Sequence, residues 1–181
     1  MSRTALVVVD VLNPYEHDDA EILVESVEGT VDPIRALIGR AADEDVELVY
    51  VNDNYGDWNS SREELAKRAL DGARGDLVEP LLPPDHASFV IKARHSIFYG
   101  TPLEYLLQQK EIDHLVLCGQ VTEQCILYSA LDAYVRELSV SVPTDAVAHI
   151  RPNLAEAALE MMRENMSAQL ADATECRFDA G

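Results

Sequence analysis

Asp10, Lys92 and Cys125 each stand at or just beyond the end of a short apolar run, or at the turn that follows one. A carboxylate, an ammonium and a thiol brought to one edge would make a nucleophile. The thiolate, not the thiol, attacks carbonyl carbon. The start of a helix favours an anion, and a nearby ammonium lowers a thiol pKa further. A carboxylate can take up the thiol proton and later return it. Backbone N–H groups in the turn Gly119-Gln120-Val121-Thr122 could hold a developing oxyanion. The pattern predicts a cysteine nucleophile acting on a carbonyl without histidine or metal. Each residue also has a plainer reading. Free cysteine is commonly a small core residue, which is the preferred reading for Cys118 inside an apolar run and for Cys176 near the C-terminus. Asp10 could cap a turn, and Lys92 could be solvated.

The elements that must position these residues are legible as apolar runs. Ala5–Val9, Val46–Val51, Ser88–Ile91, His114–Cys118 and Leu138–Val142 read as strands, with a weaker sixth over Ala168–Asp172. Runs without alternation suit strands buried on both faces. Between them lie helical patterns over 20–42 (divided near Gly29 and Pro33), 60–70, 101–110, 123–137 and 153–166. Ser60-Ser61, Thr101-Pro102 and Asn153 supply helix-start signals. Alternating strands and helices predict an α/β, doubly wound, Rossmann-like fold with a six-stranded, mainly parallel sheet covered on both faces. The polar stretch 71–87 is the longest irregular part. In such sheets ligands bind beyond the carboxyl ends of the strands, near the point where strand order reverses.

The chain has 181 residues, enough for one ordinary core, so one domain over 1–181 is expected. Its 14 Lys+Arg against 33 Asp+Glu give a net charge of −19, which argues against nucleic-acid and membrane partners and leaves a small-molecule substrate. Three cysteines are too few, and odd in number, for a disulfide framework. Without CxxC or Cys/His spacing no zinc site is expected, and no cofactor. No apolar run approaches a membrane span, and Met1-Ser-Arg-Thr leads straight into a strand pattern without a signal-peptide layout. A cytoplasmic location is expected.

Three blocks resemble the isochorismatase-like cysteine hydrolases, a superfamily that includes nicotinamidases and N-carbamoylsarcosine amidohydrolases. They are Ala5–Asn13, Val90–Leu103 with its Phe98-Tyr99-Gly100-Thr101, and Cys118–Cys125, in family order and spacing across roughly 4–148. The resemblance implies a Cys125–Asp10–Lys92 triad and a cis peptide at Gln120-Val121 that aims the Val121 and Cys125 N–H groups at the oxyanion. It implies attack on an amide or ureido carbonyl through an acyl-enzyme, and a homodimer or homotetramer. Two departures narrow it. Leu12 stands where the family often has Gln, which implies a lost polar contact. The stretch Asn52–Trp58 lacks the histidine of the nicotinamidase metal segment, and Asp53 alone makes a poor transition-metal site. True isochorismatases lack the nucleophilic cysteine, so Cys125 points away from that branch.

Tyr15, Asn52, Trp58 and Phe98, at strand ends and in loops, are candidate substrate contacts. Arg94 reads either as a holder of a substrate carboxylate or as a member of an ion pair, and none of the five histidines is given a catalytic role. The leading expectation is a cysteine-dependent amidohydrolase. The alternatives are a catalytically silent binding or scaffold protein on the same fold and, more weakly, a thiol redox protein.

Overall fold

The run of β-branched residues near the N-terminus forms β1 (Thr4–Val9), all six of whose residues are buried. A computed structural model describes residues 3–178; the first two and last three residues of the expected 1–181 unit lie outside the described residues. After β1 come α1 (Ala20–Val27), α2 (Val31–Asp43), β2 (Glu47–Asp53), α3 (Arg62–Asp71), α4 (Gly75–Val78), β3 (Ser88–Lys92) and α5 (Leu103–Gln109). Then follow β4 (His114–Gln120), α6 (Leu127–Tyr134), β5 (Ser139–Pro143), β6 (Val147–Ala148), α7 (Pro152–Met166) and β7 (Gln169–Ala171). All strand pairings are parallel, and the order is β3-β2-β1-β4-β5-β7.

The sheet has seven strands rather than the six expected, because β6 pairs with the end of β4 after β5 has left it. Two residues after a turn leave no run for a sequence pattern to register. The two faces of β1 sort by the strand period of two. Ala5, Val7 and Val9 pack with residues of α5, α6 and α7, while Leu6 and Val8 pack with α2. A third cluster joins Leu12 and Tyr15 to α1, α3 and α4. Each fully buried Leu or Val contributes about 1.5–3 kcal/mol, so the central strands anchor whatever hangs from their ends.

Local signals explain the helix boundaries. Ser61 closes a full capping box with Glu64, as the Ser60-Ser61 pair suggests. Glu28–Thr30 separates α1 from α2, and Pro33 sits in the first turn of α2, where its missing N–H costs nothing. α5 begins one residue later than Thr101-Pro102 suggests, with Pro102 itself at the N-cap and the Thr101 hydroxyl accepting from the Leu103 N–H at 3.4 Å. α7 starts at Pro152 rather than Asn153; its fixed φ suits the first helical position. The polar stretch 71–87 is not wholly irregular, since it contains α4 and a short 3₁₀ turn. Among the described residues no helix is long and apolar enough to cross a membrane.

Candidate active site

Strand order reverses at β1: the chain moves outward through β2 to β3 and then returns to lay β4 on the other side of β1. Residues just past β1 and β4 therefore flank a crevice. The two strands approach closely there. Gly119, at φ +113°, has its missing Cβ 2.1 Å from the Val9 carbonyl oxygen, so only glycine fits. Asp10 itself takes φ +55°, a left-handed conformation that aspartate tolerates better than most residues. The Gln120–Val121 peptide bond is cis. The Gln120 amide donates to the Asp10 carbonyl at 2.5 Å, tying the two strand ends together.

Register carries the third residue in. Lys92, the last residue of β3, pairs with Asp53, the last of β2. The Lys92 side chain has no exposed surface, and its Nζ lies 2.9 Å from Asp10 Oδ2, 3.3 Å from Asp53 Oδ2 and 3.6 Å from Cys125 Sγ. Asp10 Oδ1 accepts the Asp53 N–H at 2.7 Å. The structure thus brings Asp10, Lys92 and Cys125 into one buried cluster.

Cys125 does not sit at the start of an ordinary α-helix, as the pattern over 123–137 suggests. It lies in a π-helical turn, Thr122–Ile126, that precedes α6, with the Ile126 N–H donating to the Val121 carbonyl five residues back at 3.1 Å. Such turns recur at functional sites. Helical periodicity cannot distinguish them, because one inserted residue barely disturbs the apolar stripe.

The electrostatics also correct an expectation. Burial, and then Asp10, push the Cys125 thiol above the ordinary range, and Lys92 only partly offsets them. The ammonium lowers the thiol pKa as expected, but burial and the Asp10 charge outweigh it. Burial likewise raises Asp10 against the opposing pull of Lys92. Burial pulls Lys92 downward, but Asp10, Cys125 and Asp53 outweigh it and keep the ammonium charged. One cation faces several groups that could be anions, so the resting cluster holds a neutral thiol beside an Asp10–Lys92 pair. Moving the thiol proton to Asp10 leaves the net charge of the cluster unchanged. In a poorly solvated site that costs far less than losing the proton to water. A backbone hydrogen bond from Val121 to the Cys125 sulfur favours the thiolate once formed.

Cys125 opens onto a cavity of about 320 Å3 that is also lined by Asp10, Asp53, Gln120, Val121 and Gln124. Asn13, His17, Asp19, Tyr55 and His95 complete its polar wall. His95 Nδ1 lies 3.7 Å from Cys125 Sγ. Its loop is held against α6 by the Ser96 hydroxyl donating to Asp132 and by the Ile97 N–H donating to Ser129 Oγ. Sequence reasoning gave His95 no role; its place three residues after Lys92, just past a strand end, was the available signal.

The four candidate substrate contacts lie elsewhere. Asn52 is buried with its amide clasping the Leu12 backbone, accepting at 2.9 Å and donating at 3.2 Å. Tyr15 lies behind the wall, its hydroxyl donating to Gln120 Oε1 at 3.4 Å. Phe98 belongs to the core under the Arg136 guanidinium. Trp58 is 82% exposed and away from the cavity. Leu12 is buried in the apolar cluster beside α1 and α3. Arg94 faces a separate outer hollow with Tyr99 and Tyr128.

The donors do not fit a transition metal. Asn52 is committed to backbone, and the two Asp53 oxygens accept from the Tyr55 N–H and from Lys92. Among the described residues no three His, Cys, Asp or Glu side chains converge to hold an ion.

The isochorismatase domain family matches residues 4–175. The chain is 32% identical over 166 residues to an uncharacterized isochorismatase family protein of Bacillus subtilis, covering 92% of each. It is 27% identical over 184 residues to the ureidoacrylate amidohydrolase of Agrobacterium fabrum, covering 87% of this chain and 81% of that one. Among solved structures, the N-carbamoylsarcosine amidase of Thermoplasma acidophilum superposes with a TM-score of 0.76 at 26% identity, covering 97% of this chain and 99% of that one.

Proposed function

The chain belongs to the isochorismatase family, and from that premise we propose that it is a cysteine-dependent hydrolase of small amides or ureido compounds. The observation that carries the reading is the position of the buried Lys92 Nζ, 2.9 Å from Asp10 and 3.6 Å from Cys125, both of which line a small cavity. Two relatives named for amide hydrolysis support the reaction class.

The reaction runs in two halves. The Cys125 thiol gives its proton to Asp10, and the thiolate attacks the carbonyl carbon. The Val121 and Cys125 N–H groups receive the oxyanion. Collapse breaks the C–N bond, and the departing ammonia or amine leaves with the proton from Asp10. A thioester now joins the acyl group to Cys125. Asp10, again a carboxylate, takes a proton from water, and the resulting hydroxide attacks the thioester. The acid leaves, and Cys125 recovers its proton from Asp10. Lys92 holds Asp10 in place and stays charged throughout. The sum is amide plus water giving acid plus amine.

An ammonia-release screen over small amides and ureas tests this. Saturable release by the wild type is expected, with Cys125→Ala reducing it at least about 10³-fold while its circular dichroism spectrum and melting temperature stay unchanged. A folded, fully active Cys125→Ala protein contradicts the reading. Ammonia release by no member of the panel, with ordinary Cys125 reactivity, favours a silent binding protein.

A further inference from the structure

The charges around the cavity point to a substrate class. Three of its lining side chains are carboxylates, those of Asp10, Asp19 and Asp53. The one ammonium beneath them, Lys92, is paired with Asp10 and Asp53. Among the described residues no arginine or lysine lines the cavity, and Arg94 lies beyond His95 in the outer hollow. Asp19 has no structural task there: it holds the N-cap position of α1 without a side-chain cap bond. Tyr55 lies on the same wall, with its hydroxyl buried.

We propose that the carboxylates lining the Cys125 cavity, Asp19 and Asp53, select by charge, so that the protein takes small neutral or cationic amides and rejects amides that carry a carboxylate. The inference rests on Cys125 as the reacting atom. Its physical basis is that a desolvated anion needs a paired cation, whereas here it meets like charges in a concave, low-dielectric site that focuses their field. A substrate ammonium or N–H donor meets the Asp19 carboxylate, which caps nothing, and the acidic field of the wall instead.

Thiol labelling tests the proposal without requiring turnover. Cys125 is modified with methanethiosulfonates carrying an ammonium, no charge or a sulfonate, at about pH 8 and about 0.1 M salt. A reference thiol, Gln109→Cys in the Cys125→Ala background, experiences the chain's overall charge but not the cavity. Rates are also normalised to a small free thiol. The expected cation-to-anion rate ratio at Cys125 exceeds that at the reference thiol by at least about tenfold, and Asp19→Asn lowers the excess several-fold. A ratio equal to the reference, or one favouring the sulfonate, overturns the proposal. A second arm compares succinamide, 4-aminobutanamide and succinamate as substrates. Succinamate as the best of the three overturns charge selection while leaving the hydrolase reading intact. Turnover of the first two with at least about tenfold lower kcat/KM for succinamate supports both. Failure of all three counts against the hydrolase reading for this amide class, and the labelling ratio still decides charge selection.

Discussion

The floor of the Cys125 cavity hangs from strand ends, and its rim hangs from loops. Asp10 and Lys92 are fixed by the parallel ladder β1-β2-β3, and each makes two or more polar contacts in a buried setting. His17 and His95 on the rim are exposed, and Asp19 is half-buried at a helix start whose side chain caps nothing. A group held by a ladder cannot shift without disturbing the sheet, whereas a rim residue can be exchanged at little structural cost. The floor should therefore set whether the chemistry occurs, and the rim which molecules reach it.

Substitutions can break this contrast, and Lys92→Met tests it most severely. It removes the cation between Asp10 and Asp53 and leaves buried carboxylates facing one another. Turnover should vanish, and denaturant unfolding should show a loss of about 3–5 kcal/mol. The pH dependence has a definite sign. Asp10 has a folded pKa raised above its unfolded value, so stability falls as pH rises through the window between the two. Without the opposing ammonium the window widens upward, and the variant's deficit should shrink as the pH is lowered toward 4, roughly the unperturbed Asp value.

Gly119→Ala comes next. A Cβ 2.1 Å from the Val9 carbonyl forces β1 and β4 apart where they meet. Unfolding measurements should show a loss of roughly 2–4 kcal/mol, with activity reduced in the protein that remains folded. At the other extreme is Trp58→Ala, at an exposed loop position outside the cavity. Stability within about 0.5 kcal/mol of wild type is expected, with steady-state kinetics unchanged. A large effect there would show that the rim reaches further than the cavity wall.

The same contrast explains what could be read from the sequence. The doubly wound sheet and the Asp10, Lys92 and Cys125 positions were legible because buried parallel strands are unbroken apolar runs and their ends are marked by the first polar residue. The rim was not. Trp58 looked like a pocket wall because aromatic residues often are, yet its loop carries it outward. His95 reads as one polar residue among several, because its ring is brought beside Cys125 by tertiary contacts with α6: the hydrogen bonds of Ser96 and Ile97 and its own packing on Tyr128. The π-helical turn and β6 escaped notice because neither alters the pattern of apolar residues over a usable length. The upward shift of the Cys125 thiol is illegible for a different reason: the spacing shows one lysine near the thiol but neither how deeply the sulfur is buried nor that the Asp10 carboxylate stands beside it.

The central claim is that Cys125 rests as a neutral thiol because burial and the Asp10 carboxylate outweigh Lys92, and that it exchanges its proton with Asp10. The most direct test is the pH dependence of Cys125 alkylation by iodoacetamide, followed by mass spectrometry, in the wild type and in Asp10→Asn. Wild-type Cys125 should label more slowly near neutrality than a free thiol of pKa ≈ 8.5. In Asp10→Asn the ammonium becomes available to the sulfur, so labelling should accelerate several-fold, with its midpoint shifted to lower pH, even as turnover falls by about 10²–10⁴. Labelling of Asp10→Asn that is no faster than wild type would contradict the claim.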